Sequence, residues 1–419
     1  MRKKQIKKSQ ANHALTRKIC RLCKSKKLFP MVDLGLTPLA DLFVKKNQRK
    51  EARFPLSVSL CKNCFLVQLM YDVNDDLLFG NHYAFYTGGS PSSLVYFADY
   101  AKNVLKRFPK QAKRFTLEIA SNDGTLLKHF KTAGCKTLGI DPAQNVAAYA
   151  NEQKLETLPA FFNKENADKI KNNYGKAGVV IANNVIAHVV NPMQFIKNVK
   201  TLLDKDGIFI FECQYFPYLL FNNQFDNIYH EHRSFFSLHP LEYALKKQEL
   251  KIIDIEEHDT QGGSIRVFAT HKKNKIAVKK TLKEKIANEK LIGLTNIDTY
   301  KGFESRVNYI KVKLQSILID LKKQGKQVAG YGASAKSGTL LNYCNIGTNH
   351  LKYIIDKTPY KIGLYTPGMH IPVVGKEKSK PDYYLLLVWN YASGILQREH
   401  EFRKNGGKFI IPFPTPQII

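Results

Sequence analysis

The sequence predicts an α/β protein of three domains, and three features of the 419-residue chain support this. Two Cys-x-x-Cys pairs lie within residues 20–64. Residues 116–141 have the pattern of a strand, a turn, a helix and a second strand that ends in an acid, and a glycine turn at residues 330–335 begins a similar unit. This order of elements is typical of nucleotide-binding βαβ units. A chain of this length can form two or three domains.

The chain is strongly basic, with 65 Lys and Arg against 35 Asp and Glu and a net charge of +30. A polyanion is one partner that this charge allows, because clustered cations neutralise phosphates. The lysines are spread over the whole sequence, however, and only residues 2–8 form a dense run. We therefore favour a solvated lysine-rich surface with a disordered basic tail over residues 1–13, and we expect no nucleic-acid partner.

The sequence shows no pattern of a membrane anchor or a secretion signal. The apolar run over residues 383–389 has the length of a strand, far short of the roughly 20 residues that span a bilayer. The basic start MRKKQIKKSQ is not followed by an apolar signal-peptide core. We expect a cytoplasmic protein without a membrane partner.

Four of the seven cysteines form two knuckles, CRLC and CKNC, with the thiols of Cys20, Cys23, Cys61 and Cys64. Four thiolates are the number that a closed tetrahedral Zn²⁺ site requires. Disulfides and a redox Cys-x-x-Cys are the alternatives, and two knuckles without a secretion signal favour zinc. Because four protein ligands leave no open position, the predicted zinc is structural. The other three thiols have apolar neighbours, and we expect them to be buried and inert: Cys135, Cys213 and Cys344.

Residues 116–141 predict a nucleoside-binding turn. The strand around residues 117–120 leads through SNDG into an amphipathic helix, and the next strand ends at Asp141. This acid lies about twenty residues beyond the turn, where it can accept hydrogen bonds from ribose hydroxyls. Ala120 and Asn122 stand where a dinucleotide fingerprint has glycine, so the turn suits a nucleoside without pyrophosphate. S-adenosylmethionine is such a ligand, and an ordinary α/β turn is the alternative.

The following strands extend the predicted cofactor site. Residues 177–192 and 202–216 each contain a buried strand, and ligands collect at the carboxyl ends of such strands. The stretch LPAFFN at residues 158–163 offers aromatic rings on which an adenine could stack. Glu212 is a further neighbour at these ends. The predicted cofactor contacts are Glu118, Ala120, Asn122, Asp123, Asp141, Pro142, Phe161, Asn183, Asn184 and His188.

A glycine turn near the C-terminus follows a second amphipathic helix. Gly330, Gly332 and Ala335 match Gly-x-Gly-x-x-Ala, with Asp356 as the acid. Taken alone, this pattern favours an NAD(P) oxidoreductase. A glycine turn at a helix N-terminus binds any phosphate, however, because its free N–H groups point outward. A purely structural unit is the third interpretation.

The stretch NIYHEHRSFF at residues 227–236 concentrates Tyr229, His230, Glu231 and His232. Two histidines and a carboxylate can bind a metal ion, but three consecutive residues do not easily converge on one ion. An acid–base centre also uses these residue types, because histidine has a pKa of about 6.5. A crowded loop without a chemical role is the third interpretation.

The chain resembles a known family, the sugar C-methyltransferases that act on nucleotide-linked 4-ketohexoses, over nearly its whole length after the tail. The similarity rests on the two knuckles and on LGLTPLADLF, EIASNDGTLL, GIDPA, NNVIAHV, FECQYFPYLL, QFDNIYHEH, GGSIRVF, GYGASAKSGTLLNY and IIDKTPYKIGLYTPGMHIPV. It implies an α/β fold: a class I (Rossmann-like) methyltransferase core, a small N-terminal zinc-binding domain and a C-terminal Rossmann-like α/β domain. The implied divisions are the tail 1–13, the zinc-binding domain 14–75, the methyltransferase domain 76–272, a helical connector 273–310 and the C-terminal domain 311–419.

The resemblance also implies catalytic roles. In the family, the equivalents of Tyr229 and His232 lie at the reacting sugar, with that of Glu231 beside them. A ketone at C4 acidifies the C3 proton, so that a base can generate an enolate which takes up a methyl group. We predict His232 as the base, Tyr229 as the oxyanion donor or assisting acid, and Glu231 as the orienting carboxylate. His230 is the weaker candidate base.

Substrate contacts are predicted from two segments. The family has an active-site tyrosine in NHYAFYTGGSPSS, residues 81–93, which we place at Tyr83 with Tyr86 as the alternative. The C-terminal turn would suit the substrate diphosphate through Gly332, Ala333, Ser334 and Lys336.

We predict a monomeric enzyme that uses S-adenosylmethionine and contains structural zinc. It would methylate C3 of a nucleoside-diphosphate 4-keto-6-deoxyhexose, with dTDP as the preferred carrier. The alternatives are an NAD(P)-dependent nucleotide-sugar oxidoreductase and a zinc-knuckle protein that binds nucleic acid.

Overall fold

The computed structural model describes residues 14–48, 50–79, 86–376 and 380–419, so the predicted basic tail lies outside the described residues. Across these ranges, no helix is both long and apolar enough to span a membrane.

The Cys-rich N-terminal part is built on an antiparallel sheet. Its elements are β1 (Ala14–Thr16), β2 (Leu28–Thr37), β3 (Phe54–Cys61), β4 (Val67–Leu69), β5 (Tyr71–Val73) and α1 (Asp75–Phe79). Strand β3 lies between β2 and β4, and β1 pairs with β5. Buried and half-buried residues alternate over the first half of β3, as expected where one face of a strand packs on a core. This strand ends at Cys61 and so carries one knuckle at its end.

The central part contains eight strands and eight helices. In chain order they are α2 (Pro91–Arg107), α3 (Pro109–Arg114), β6 (Thr116–Ile119), α4 (Thr125–Thr132), β7 (Thr137–Asp141), α5 (Gln144–Glu152), β8 (Thr157–Pro159), α6 (Lys164–Tyr174), β9 (Ala177–Asn183), α7 (Pro192–Leu202), β10 (Leu203–Gln214), α8 (Phe216–Phe221), β11 (Ser234–Phe235), α9 (Leu238–Lys247), β12 (Leu250–His258) and β13 (Ser264–His271).

Seven of these strands form one sheet in the order β12-β13-β10-β9-β6-β7-β8. Strand β13 runs antiparallel to both of its neighbours, and the other pairs are parallel. This is the class I methyltransferase topology, and it confirms the predicted core. Because the β6–β7 and β6–β9 crossovers leave the sheet in opposite directions, a ligand crevice opens at the carboxyl end of β6. The eighth strand, β11, instead pairs with β4 of the N-terminal sheet.

The C-terminal part begins with helices α10 (Lys280–Leu291) and α11 (Phe303–Lys323). The elements that follow are β14 (Val328–Tyr331), α12 (Ala335–Tyr343), β15 (Ile354–Ile355), β16 (Val373–Val374), β17 (Tyr383–Leu386), α13 (Ala392–Arg398), α14 (His400–Lys404), β18 (Lys408–Ile411) and β19 (Gln417–Ile418). The sheet order is β16-β15-β14-β17-β18-β19, parallel except for the last pair. The domain is therefore Rossmann-like. The predicted boundary at 310/311 falls inside α11.

Two apolar cores join the three parts. Cys20, Cys61 and Cys64 pack into the core of the central domain with Phe236 and Leu238. A second core combines the N-terminal sheet, residues 216–235, α11 and the C-terminal sheet. The segment that contains the tyrosine, the glutamate and both histidines thus lies where all three parts meet. The predicted burial of Cys135, Cys213 and Cys344 is confirmed.

Candidate active site and metal centre

The two Cys-x-x-Cys knuckles fold in the same way. In the first, the N–H of Lys24 donates to the Cys20 carbonyl at 3.1 Å, and in the second the N–H of Phe65 donates to the Cys61 carbonyl at 2.9 Å. Both donors have a left-handed backbone, with φ of +61° at Lys24 and +56° at Phe65. Each knuckle therefore curls its two thiols toward one point.

The four thiols fit a zinc ion. Their sulfur atoms all lie within 4.8 Å of one another, and none forms a disulfide. The Sγ atoms are 3.4 Å apart for Cys20 and Cys64, and 3.5 Å apart for Cys23 and Cys61. Tetrahedral ligands about 2.3 Å from Zn²⁺ lie about 3.8 Å from one another. Only a small expansion would admit the ion, and a closed set of four thiolates makes it structural.

The turn after β6 has the backbone of a cofactor turn without its usual glycines. Ala120 has φ of +54°, Asn122 has φ of +50°, and Gly124 has φ of +77°. Left-handed backbone is favourable for glycine, tolerable for asparagine and unfavourable for alanine. The two positions where a dinucleotide fingerprint has glycine therefore adopt conformations that glycine favours.

Three acids gather at this turn. Asp141 accepts hydrogen bonds from the N–H groups of Asn122 and Ala143, both at 2.9 Å. Burial raises the pKa of Asp141, and these two N–H groups act in the opposite direction. Burial, reinforced by Asp123 and Asp141, raises the pKa of Glu118 well above its ordinary value. Within the described residues the buried Glu118 Oε2 has no hydrogen-bond partner. Because buried polar atoms are normally hydrogen-bonded, this oxygen is a candidate contact for a ligand.

The other predicted cofactor contacts lie around the same crevice. Asn183 ends β9 and accepts a hydrogen bond from the Tyr100 hydroxyl at 3.2 Å, while Asn184 has φ of +55°. Pro142 follows Asp141 directly, and Phe161 is exposed after β8. Glu212 forms hydrogen bonds with Arg266 and Tyr96, both at 2.6 Å, instead of facing the crevice with an unpaired carboxylate.

A loop before α2 closes one side of the crevice. The N–H of Thr87 donates to Asn122 Oδ1 at 2.9 Å, and the N–H of Gly88 donates to Asp123 Oδ2 at 2.7 Å. The Tyr86 hydroxyl accepts from Asn145 at 3.2 Å, so its ring lies on the cofactor side. The other predicted tyrosine, Tyr83, lies outside the described residues.

The tyrosine and the last histidine of YHEH form a hydrogen-bonded pair. His232 Nδ1 lies 2.8 Å from the Asn227 carbonyl oxygen, and Nε2 lies 2.7 Å from the Tyr229 hydroxyl. Because a carbonyl only accepts, Nδ1 carries the proton and Nε2 presents its lone pair. Burial lowers the pKa of His232 to about 4, and the nearby Lys336 acts in the same direction. The ring is therefore neutral at pH 7 and can accept a proton.

The ionisable side chains near this pair, His188, His230 and Glu231, have different surroundings. His188, predicted as a cofactor contact, places its ring centroid 5.0 Å from that of His232. His230 turns away and packs edge-on against Phe54 of β3, and burial lowers its pKa to about 4. Burial, with Asp41 nearby, raises the pKa of Glu231 to about 8, which favours its neutral carboxyl group.

A small recess beside His232 contains a residue that sequence reasoning missed. It is lined by Asn184, His188, Gln214, His232, Ser234 and Gln261, among others. Both polar atoms of the Gln214 amide are buried without a partner in the described part of the chain. An unpaired buried polar group lowers the free energy of unfolding by about 1–3 kcal/mol. A ligand that forms hydrogen bonds with this amide would recover that free energy. Gln214 could have been identified from its position at the carboxyl end of the buried strand β10, where ligands collect.

The C-terminal glycine turn lies close to His232, and its polar groups are already engaged. Asp356 accepts from the N–H groups of Ala333 at 2.6 Å and Thr358 at 2.8 Å. Lys336 donates to Asn390 at 2.8 Å and lies 4.7 Å over the Trp389 ring. Burial lowers the pKa of this ammonium group, and Asp226 opposes that effect.

The rest of this turn packs tightly. The φ of Gly332 is +85°, and a Cβ there would clash with Val388. Ser334 caps α12, whose Thr339 donates to the Ile228 carbonyl at 2.9 Å. The turn and its helix therefore form one wall of the space in front of YHEH.

Comparisons with known proteins cover the whole architecture. Family models match as a zinc binding domain over residues 20–79, a methyltransferase domain over 95–255 and a C-methyltransferase C-terminal domain over 259–414. The C-methyltransferase NovU of Streptomyces niveus is 35% identical over 405 residues, which cover 96% of each chain.

Two solved structures of methyltransferases are matched at low identity. Magnesium protoporphyrin IX methyltransferase from Synechocystis PCC 6803, with bound SAM, is 12% identical, covers 42% of this chain and 80% of its own, and has a TM-score of 0.32. An S-adenosylmethionine-dependent methyltransferase from Clostridium acetobutylicum is 16% identical, covers 47% and 95%, and has a TM-score of 0.34.

Proposed function

This chain belongs to the S-adenosylmethionine-dependent C-methyltransferase family, and we propose that its acceptor is C3 of a nucleoside-diphosphate-linked 4-keto-6-deoxyhexose. S-adenosylmethionine supplies the electrophilic methyl group. Carbon is not nucleophilic in a saturated C–H bond, so the protein must first generate a carbanion. A ketone next to the reacting carbon makes that step accessible, because the charge spreads onto its oxygen. The protein must therefore remove the C3 proton and stabilise the resulting enolate.

The observation that carries the proposal is the 2.8 Å contact of His232 Nδ1 with the Asn227 carbonyl oxygen. The Asn227 carbonyl holds the proton on Nδ1, so the Nε2 lone pair can receive the C3 proton from the sugar once the Tyr229 hydroxyl turns away from it. The Tyr229 hydroxyl, which now donates to Nε2, can turn to the enolate oxygen as the negative charge develops there. Glu231, the neighbour of His232 in the chain, would be the orienting group, since burial favours its neutral form, which can donate a hydrogen bond. We assign these three residues the roles of base, oxyanion donor and orienting group.

The remaining binding residues follow from their positions. Glu118, Asp123, Asp141, Asn183 and Asn184 would hold the cofactor at the β6 crevice, with the turn at Ala120 and Asn122 beneath it. Pro142 and Phe161 would bound its adenine.

The sugar nucleotide would enter between the central and C-terminal domains. Gln214 and His188 would contact the hexose, because both line the recess at His232. Lys336 and the turn at Gly332, Ala333 and Ser334 would bind the diphosphate by exchanging present contacts, such as those of Lys336 with Asn390 and of Ala333 with Asp356. Tyr86 would close the opposite side, and Tyr83 stays a predicted substrate contact. We propose dTDP as the carrier.

The test is methyl transfer to a defined acceptor. The purified protein is incubated with S-adenosylmethionine and dTDP-4-keto-6-deoxyglucose, and the sugar nucleotide is analysed by mass spectrometry and NMR. We expect a gain of one CH₂ unit, with the new methyl group on C3. A methyl group on oxygen would contradict carbon methylation. No gain with this hexose or with other dTDP- and UDP-linked 4-ketohexoses would contradict the proposed substrate class.

A further inference from the structure

A buried arginine lies inside the first zinc knuckle. Arg21 stands between Cys20 and Cys23 and is completely buried. Its backbone N–H donates to Gln68 Oε1 at 2.8 Å, and its guanidinium donates to the carbonyl groups of Leu69 at 3.3 Å and Val190 at 3.2 Å. The same guanidinium forms a two-pronged ion pair with Asp72. The position of this arginine therefore depends on the fold of the knuckle that carries it.

Asp72 is the carboxylate shared by three arginine side chains, and Asp75 adds a second carboxylate to the cluster. Besides Arg21, Asp72 pairs with Arg17 at 2.5 Å and with Arg233 at 3.5 Å, and Arg233 also pairs with Asp75 at 2.6 Å. Only 7% of Asp72 is exposed. Buried ion pairs of this kind require good geometry, because the desolvation of each charge must be offset by its partners. The forked guanidinium groups provide that geometry and resist rotation.

Arg233 brings this charge cluster to the catalytic segment. It follows His232 in the chain and is 1% exposed. One of its nitrogen atoms donates to the His188 carbonyl and another to the Val73 carbonyl, both at 2.7 Å. Its own carbonyl accepts from the Leu69 N–H at 3.0 Å, next to the pairing of β11 with β4. Arg233 thus ties the backbones of both site histidines to the N-terminal domain.

We propose that Arg21, Asp72 and Arg233 form a positioning bridge, through which the metal-filled first knuckle sets the placement of His232 relative to His188. None of the three is a catalytic residue, because they act through backbone contacts to the histidines. The kinetic part of this proposal rests on the proposed function, while the structural part does not. A misplacement of about 1 Å at a reacting group can lower a rate about 100-fold.

The test compares variants by two independent measurements. Arg21→Lys keeps the positive charge but loses the planar guanidinium group that donates to both oxygens of Asp72, and Asp72→Asn removes the shared carboxylate. Asp204→Asn is the matched control, because it breaks the exposed pair with Arg114, which measures 2.8 Å, far from YHEH. Zinc stoichiometry and S-adenosylmethionine affinity are measured first, and we expect wild-type values for all three variants. Should Asp72→Asn fail to fold, Arg21→Lys decides alone.

The first measurement is hydrogen–deuterium exchange of the peptide over residues 227–236. We expect exchange at least about 10-fold faster in both bridge variants and in wild-type protein after zinc chelation, but not in the control. The second is steady-state kinetics, for which we expect kcat about 10- to 100-fold lower with little change in KM for either substrate.

The outcomes separate this proposal from the proposed function. Unchanged exchange in zinc-loaded Arg21→Lys, or faster exchange with an unchanged kcat, would overturn the bridge. If the wild-type protein methylates no 4-ketohexose, the proposed function fails, and exchange of the 227–236 peptide still decides whether the bridge positions this segment.

Discussion

At the residue scale, the proposed chemistry depends on which nitrogen of His232 carries the proton. The Asn227 carbonyl fixes that proton on Nδ1, so the unprotonated Nε2 lies on the side of Tyr229 and the recess. His230 has the same side-chain chemistry two residues away, but its ring packs against Phe54 of the N-terminal sheet. The difference between these two histidines comes from the backbone of the loop, which turns their rings toward different domains.

Substitution of the two histidines should therefore have different consequences. We expect His232→Asn to lower kcat by about 10²–10⁴-fold, the usual effect of losing a general base. We expect His230→Gln to retain most of the activity and to lose stability instead, since a buried ring is replaced. Initial rates of methyl transfer and S-adenosylmethionine affinity are measured for both. Near-normal turnover by His232→Asn would contradict its assignment as the base.

At the element scale, the turn after β6 has the conformation of a glycine turn at a position occupied by alanine. The left-handed backbone at Ala120 costs an L-residue about 1–2 kcal/mol, part of which glycine recovers. We expect Ala120→Gly to raise the free energy of unfolding by about 0.5–1 kcal/mol with unchanged cofactor affinity. Ala133→Gly is the control, because φ is −78° there and glycine should destabilise. A less stable Ala120→Gly would mean that the methyl group makes packing contacts worth more than the strain.

The zinc knuckles form a second element with a testable dependence. We expect Cys61→Ser to lower the zinc content well below one ion per chain, since the four sulfur atoms form one closed set. The melting temperature should fall with it, because metal binding contributes folding free energy. Cys135→Ser, a thiol outside the cluster, serves as the control and should keep its zinc. Full zinc content in Cys61→Ser would show that this cysteine is not a ligand.

At the scale of the whole molecule, residues 225–236 connect three domains. Thr339 binds the Ile228 carbonyl, the Trp389 indole donates to Asp226 at 2.6 Å, and β11 pairs with β4. Burial in this junction keeps several ionisable groups in their neutral forms. The consequence is that acid should affect the stability of the folded chain through its buried histidines.

His230 gives the clearest expectation for pH dependence. Its pKa is about 4 when folded, against an ordinary value of 6.5, so the unfolded chain binds more protons between these pH values. Its contribution to stability is therefore present above pH 6.5 and is lost as pH falls toward 4. Between pH 7 and pH 5 the loss is about 2 kcal/mol.

The difference between wild type and His230→Gln isolates this contribution, because other titrating groups are shared. Denaturant unfolding at pH 7 and pH 5 should show the gap in unfolding free energy shrinking by about 2 kcal/mol toward acid. A gap that stays constant with pH would mean that His230 titrates normally in the folded protein.

Much of the fold could be predicted from sequence because its signals are local. The knuckles, the strand before SNDG and the glycine turn of the last domain each depend on residues close together in the chain. The family resemblance supplied the order of domains. The boundary predicted at 310/311 lies inside α11, because the helical pattern runs without a break from residue 303 to 323 and marks no division there.

The site could be predicted only in part, because its geometry is made by contacts between distant segments. His188 was assigned to the cofactor from its place after β9, and its approach to His232 depends on the path of the YHEH loop. The role of Arg233 could not be predicted from the sequence. Its partner Asp72 is 161 positions earlier and becomes a neighbour only when β11 pairs with β4. Gln214 was overlooked because an unpaired amide is a property of the folded interior.

Proton exchange at C3 of the sugar measures enolate formation by His232 without the methyl-transfer step. Wild-type protein and His232→Asn are each incubated in D₂O with dTDP-4-keto-6-deoxyglucose, without the methyl donor, and deuterium at C3 is followed by NMR. We predict that wild type exchanges the C3 proton and that His232→Asn does so at least about 100-fold more slowly. Equal exchange rates in the two proteins would contradict the claim that His232 generates the enolate.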